Sequence, residues 1–246
     1  MKKVAVIGAQ GRMGSTVVSA VTAAPDMTLV ASIDAQQPVN AETLNGADVA
    51  VDFTVPSVTE QNVHAVLEAG IHAVVGTTGW TAESLDRVRN HAEAVDCSVL
   101  IAPNFALSAV LAMKFAAMAA PYFESVEIIE KHHPAKVDAP SGTAVHTAHV
   151  IAEARKNAEC PPIPDATEKD PLGSRGAVVE GIPVHAVRLR GLTAHEEILL
   201  GNLGEQMTIR TDCFDRTSFM PGVLLGIRRV ADFPGLTVGL DTLMNI

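Results

Sequence analysis

Residues 2–14, KKVAVIGAQGRMG, decide how the rest of the chain is read. A short apolar run rich in β-branched residues ends at Gly8, a glycine-bearing turn follows, and STVVSAVTAA then has helical spacing. Strand, glycine turn and helix form the context a dinucleotide fingerprint requires. Gly8, Gly11 and Gly14 stand in G-x-x-G-x-x-G spacing. Gly8 suits the tight turn, and Gly11 lets the backbone approach a pyrophosphate held by the N–H groups of a helix start. Gly14 lets helix and strand pack closely. Taken alone, the pattern fits a ligand-free glycine turn about as well. Its context favours the fingerprint: a second strand, MTLVASID, follows the helix and ends in Asp34. A carboxylate there accepts hydrogen bonds from an adenosine ribose. Asp34 favours NAD, because it repels a 2′-phosphate, whereas Arg12 offers such a phosphate a positive charge. NADH and NADPH both stay open.

The alternation continues outward. DVAVDFT, HAVVGTTG and SVLIAPN read as buried strands, separated by the helical stretches SVTEQNVHAVLEAG and TAESLDRVRNHAEAV. Apolar strands alternating with helices predict a parallel sheet covered on both faces. Ligands of such sheets bind at the carboxyl ends of the strands. Thr54, Gly76, Thr77, Thr78, Asn104 and Phe105 stand there, although any one of them alone is ordinary turn chemistry.

After Asn104 the pattern changes. FALSAVLAMKFAAMAAPYF is an apolar helix, ESVEIIEKHH a strand, and SGTAVHTAHVIAEARK a helix with Ser141 as N-cap. Residues 157–183 read as a long loop, PVHAVRLRG, AHEEILLG and EQMTIRTD as an antiparallel sheet, and SFMPGVLLGIRRVADF as a closing helix. Between strand and helix lies EKHHPAKVDAPSGTA, residues 130–144. Histidine exchanges protons near neutral pH. Lys136 supplies a fixed charge or a proton, and the helix start at Ser141, Gly142 and Thr143 offers N–H groups to a carboxylate. A break at Pro134 would turn His132 and His133 toward one pocket. The set is a proton donor beside an anion cradle, suited to reducing a small carboxylated substrate with hydride. His64, His72, His91, His146, His149, His185 and His195 are taken as structural, with no H-E-x-x-H pattern and no metal expected.

Composition sets the outer limits. The 246 residues are 48% hydrophobic and 19% charged, which is a globular composition. A net charge of -10 without a Lys/Arg cluster argues against nucleic acid. Three widely spaced cysteines argue for a reducing compartment, and no stretch suits a membrane span, so a cytoplasmic protein is expected.

GAQGRMG, DFT, VVGTTGW, APNFA and above all E-x-HHPAKVDAPSGTA resemble the 4-hydroxy-tetrahydrodipicolinate reductases (dihydrodipicolinate reductases), in particular the actinobacterial members. The resemblance runs from the first strand to the C-terminal helix. It implies an NAD(P)H-dependent reductase of diaminopimelate and lysine biosynthesis, reducing a cyclic imine dicarboxylate with release of water. It implies His132 as catalytic proton donor and acceptor, Lys136 as second proton donor, and His133, Gly142 and Thr143 as substrate-carboxylate ligands. Cofactor contacts would come from Gly8, Ala9, Gln10, Gly11, Arg12, Met13, Asp34, Gly76, Thr77, Thr78, Ala102, Pro103, Asn104 and Phe105. The implied fold is a Rossmann-like domain, 1–105 completed by 217–246, with an inserted α+β domain, 106–216, whose open mixed or antiparallel sheet builds a homotetramer. One departure is Trp80 where phenylalanine is expected after GTTG. The rivals are an amino-acid dehydrogenase, which leaves the histidine-lysine set without a task, and a NADH-sensing regulator of transcription, which needs a DNA-binding module for which neither a basic patch nor spare length is expected.

Overall fold

A computed structural model of the chain describes residues 1–245. It falls into two compact units, Met1–Leu107 joined by the segment from Arg216 onward, and Ser108–Asp215. The first unit contains β1 (Lys2–Ile7), α1 (Arg12–Ala23), β2 (Met27–Ile33), β3 (Val49–Asp52), α2 (Pro56–Glu68), β4 (His72–Val75), α3 (Ala82–Ala94) and β5 (Ser98–Ile101). The second contains most of α4 (Leu107–Ala119), then β6 (Ser125–His132), α5 (Gly142–Asn157), β7 (Ala177–Val179), β8 (Ile182–Arg188), β9 (Ala194–Asn202) and β10 (Glu205–Cys213). The chain then returns to the first unit with α6 (Met220–Arg229), β11 (Gly235–Val238) and α7 (Asp241–Met244).

In the first unit six strands pair in parallel, in the order β11-β5-β4-β3-β1-β2. Every residue of β3 and β5 is buried, as expected where helices cover both faces. On one side α2 and α3 place Val63, Val66, Leu67, Val88 and Ala92 against Ala5, Ile7, Ala50, Val75 and Ile101. Each fully buried valine or leucine contributes roughly 1.5–3 kcal/mol. The strand order reverses between β1 and β3, which is where such sheets bind ligands. The closing segment differs from the expected single helix: β11 adds a sixth strand at the β5 edge, with Gly235 opposite Ser98. GLTV is too short to show a period, and only the open edge of β5 recruits it.

The second unit holds a five-stranded mixed sheet, β10-β9-β6-β8-β7. Val126, Ile128, Val184, Ile198 and Leu200 pack one face against Ala144, Ala148 and Ile151 of α5. The sheet is mixed, within the expected mixed or antiparallel class: β9 runs antiparallel to β6 and β10, while β8 pairs parallel with β6. A long connection through α5 separates the two strands, and only such a crossover returns a strand in the same direction. Residues 157–183 are likewise only partly loop, since β7 and the start of β8 lie within them.

Candidate active site

The first unit carries a cleft of about 410 Å³ at the β1/β3 switch point. Gly11, Arg12 and Met13 line it after β1, Phe53, Thr54 and Pro56 after β3, Gly76–Thr78 after β4, Pro103–Phe105 after β5, and Phe219 before α6. Gly8 sits at φ +81°, and a Cβ on Gly14 would stand 1.9 Å from the Gly8 carbonyl oxygen. This close approach lets α1 begin at Arg12, earlier than the Ser15 start read from sequence. The α1 N-cap is Gly11, with no side chain capping the first N–H groups. Uncapped helix donors beside a cleft suit an anionic phosphate.

The cleft walls are fixed from beneath. Asp52, 3% exposed, accepts hydrogen bonds from the hydroxyls of Thr54 (2.9 Å), Thr59 (3.0 Å) and Thr77 (2.7 Å) and from Asn62 Nδ2 (2.9 Å). Thr54 N–H donates to Thr77 Oγ1 at 2.8 Å, so the ends of β3 and β4 are tied together. The Trp80 indole donates to the Thr77 carbonyl at 2.8 Å, a bond phenylalanine cannot make. Asp34 accepts from Gln10 N–H, with 3.1 Å to each carboxylate oxygen, and so holds the glycine loop. Ala9 and Ala102 are buried, and with Gly8, Gln10 and Asp34 they stand outside the cleft lining. Phe53, Pro56 and Phe219 went unnoticed in the sequence. Phe219 reaches the cleft only through the returning chain segment, which no local signal marks.

In the second unit β6 ends at His132, and His133 opens a turn closed by Lys136 N–H donating to its carbonyl at 3.2 Å. Four donors converge on the carboxylate of Glu130, which is 0% exposed. Arg188 grips it with two nitrogens at 2.7 and 2.8 Å, Ser141 N–H donates at 3.0 Å, and His132 Nδ1 lies at 2.6 Å. Burial pushes the Glu130 carboxyl up, but the bonds from Arg188 and His132 outweigh it and hold the group below the usual carboxylate range. Burial, opposed by Glu130, leaves His132 below its ordinary value. Neutral His132 therefore donates Nδ1–H to Glu130 and keeps its lone pair at Nε2. Lys136 Nζ pairs with Asp138 at 2.8 Å, and Gly142 N–H donates to the same carboxylate at 3.3 Å. Ser141 Oγ accepts from Ala144 N–H as N-cap of α5, as expected. The half-buried Thr143 accepts at its carbonyl from the Thr147 hydroxyl at 3.0 Å. Glu130 and Arg188 escaped the sequence reading. The available signal for Glu130 was its period-two register with Val126 and Ile128, which turns it inward.

Most other histidines have local partners: His64 with His91, His72 with Ser98, His149 with Glu180, His185 with Glu127, and His195 with Asp212. Among the described residues no group of three or more His, Cys, Asp or Glu is placed to hold a metal, and no helix is long and apolar enough to cross a membrane.

The nucleotide-type sheet in one unit and the histidine-carboxylate-lysine site in the other define a pyridine-nucleotide-dependent oxidoreductase. Two family models match almost end to end, "Dihydrodipicolinate reductase, N-terminus" over residues 2–105 and "Dihydrodipicolinate reductase, C-terminus" over 108–244. The chain belongs to the dihydrodipicolinate reductase family. It is 64% identical to a 4-hydroxy-tetrahydrodipicolinate reductase of Beutenbergia cavernae, over 99% of each chain. It is 59% identical to one of Bifidobacterium animalis subsp. lactis, over 100% of each. A dipicolinate-bound dihydrodipicolinate reductase from Paenisporosarcina sp. TG-14 superposes with TM-score 0.88 at 40% identity, over 98% of this chain and 99% of that one.

Proposed function

We propose that this chain reduces 4-hydroxy-tetrahydrodipicolinate to tetrahydrodipicolinate with NADH or NADPH, releasing water, in the diaminopimelate route to lysine. The observation that carries the site assignment is the convergence on Glu130, which ties His132 to the N-terminus of α5. A proton-transfer group and an anion-binding helix start are thereby held in one rigid arrangement. The first unit is the dinucleotide domain and the second the substrate domain.

The cofactor contacts are Gly8 to Met13, Asp34, Gly76 to Thr78 and Ala102 to Phe105. The uncapped start of α1 and the glycine contacts that a Cβ would fill support this fit. When bound, the nicotinamide supplies the hydride. Asp34 favours NADH, and Arg12 in the cleft lining gives NADPH a counter-charge. In net terms the substrate loses its hydroxyl as water and gains one hydride and one proton. Lys136, Gly142 N–H, Thr143 and His133 hold the carboxylates. Two carboxylates beside His132 stabilise its imidazolium form, so substrate binding loads the proton that Nε2 then delivers. The Lys136 ammonium is the second proton donor and neutralises the nearer carboxylate. A cytoplasmic homotetramer is proposed from the family resemblance.

Nicotinamide absorbance tests the reading, with substrate generated in situ by its synthase. Synthase-dependent oxidation is expected, reduced roughly a hundredfold or more in His132→Ala and in Lys136→Ala, with NADH binding retained. The ratio of initial rates with NADH and NADPH measures the balance between Asp34 and Arg12. NADH binding without synthase-dependent oxidation would return the site to a different carboxylated substrate.

A further inference from the structure

The Asp138 carboxylate sits on the two donors that the substrate's carboxylate needs. One oxygen lies 2.8 Å from Lys136 Nζ, and the other accepts from Gly142 N–H at 3.3 Å. The Lys136 side chain is 22% exposed and that of Asp138 49%. The main chain of Asp138 is held separately, by Arg188 Nη2 donating to its carbonyl at 2.7 Å. The backbone is thus fixed, while the half-exposed side chain needs only a rotamer change to leave. Its ionised form is favoured first by the bond from Lys136, with burial opposing.

We infer that Asp138 is an internal competitor of the substrate, a carboxylate that occupies the anion cradle of Lys136 and Gly142 until a dicarboxylate displaces it. This deepens the proposed function and rests on its reading of Lys136 and the α5 N-terminus as the substrate's carboxylate site. Before substrate arrives, Asp138 occupies both donors and weakens the binding of small monoanions. A monocarboxylate gains only what Asp138 gives up. A dicarboxylate gains a second set of contacts and so displaces it at a net profit in free energy. An ion pair this exposed is worth up to about fivefold in an equilibrium constant, which sets the size of the barrier.

The test is isothermal titration of the NADH-loaded enzyme with dipicolinate, together with inhibition of turnover by acetate. In Asp138→Asn the dipicolinate Kd is expected to fall roughly two- to fivefold, and acetate is expected to gain the same factor as a competitive inhibitor. Asp138→Ser serves as a second variant with the same expected outcome. Glu153→Gln, which removes an equal charge from the exposed side of α5, is expected to leave both constants unchanged. Unchanged or weaker dipicolinate and acetate binding in both Asp138 variants overturns the inference and makes Asp138 a support for Lys136. An equal gain in Glu153→Gln also overturns it, in favour of a general field effect. Lys136→Ala separates the two layers. Dipicolinate binding that survives in this variant removes the carboxylate site itself, and Asp138's role with it. Binding lost in Lys136→Ala but unaltered in the Asp138 variants removes only the latter.

Discussion

Replacing Glu130 by glutamine changes one oxygen to an NH₂ group in a fully buried position. Each carboxylate oxygen now takes two donors: Arg188 Nη2 and Ser141 N–H on one, Arg188 Nη1 and His132 Nδ1 on the other. An amide offers a single oxygen. With its oxygen toward His132, Arg188 Nη2 and Ser141 N–H lose their acceptor. With its NH₂ toward His132, Arg188 Nη1 is stranded, and the imidazole is pinned with Nδ1 accepting and Nε2 protonated. That second arrangement is the wrong tautomer for proton pick-up, the same fault an Asp-to-Asn change introduces in a serine-protease triad. One or two buried donors left unsatisfied cost about 1–3 kcal/mol each, in line with roughly 3–5 kcal/mol for breaking a buried charge pair. At about 2–4 °C per kcal/mol for a chain of this size, the melting temperature falls by roughly 5–20 °C. Turnover at temperatures where the variant stays folded falls roughly a hundredfold or more, while NADH affinity, set by the other unit, holds. Calorimetry and the coupled nicotinamide assay read the two effects. A Glu130→Gln enzyme that melts within about 2 °C of the parent and turns over within about threefold of it would refute the convergence as the organiser of the site.

Two further outcomes are expected. Gly14→Ala places a Cβ 1.9 Å from the Gly8 carbonyl oxygen, so the glycine loop has to shift; the NADH dissociation constant, followed by nicotinamide fluorescence, rises about tenfold or more, and stability drops by roughly 1–3 kcal/mol. Glu196 is a pH-dependent element: burial, and then the charge of Glu130, push its carboxyl from 4.5 up to about 7, against the hydrogen bond with Thr147. The Thr147 hydroxyl lies 2.7 Å from Glu196 and 3.0 Å from the Thr143 carbonyl, and its single proton serves the carbonyl when Glu196 is protonated. Between pH 4.5 and 7 the folded chain keeps this proton and the unfolded chain releases it, so Glu196 lowers stability as pH rises through that window. At about 1.4 kcal/mol per pH unit the loss is roughly 3 kcal/mol. Glu196→Gln removes this part of the slope, so urea melts at acid and at alkaline pH differ less than in the parent; an unaltered slope counts against the buried acid.

The local sequence carried much of the architecture. Strand, glycine turn and helix follow from steric and periodic rules that act within a dozen residues, so the Rossmann-like start and the α5 cap were legible. The chemistry-bearing types of EKHHPAKVDAPSGTA were legible too, because turn and helix start keep neighbours in sequence close in space. β11 and the parallel course of β8 were not. A four-residue strand has no measurable period, and strand direction is set by the crossover rather than by the residues of the strand.

What the sequence by itself determined is therefore which groups are present near one another along the chain: Asp34 after the second strand, the glycine loop, and His132, His133, Lys136 and Gly142 around one turn. Tertiary structure alone decided what those groups are bonded to. Arg188 meets Glu130 across 58 residues, and Thr77 meets Asp52 across 25. Sequence spacing cannot encode such pairings. Strand register brings the partners together, and the cost of burying a charge without its counterpart keeps them there.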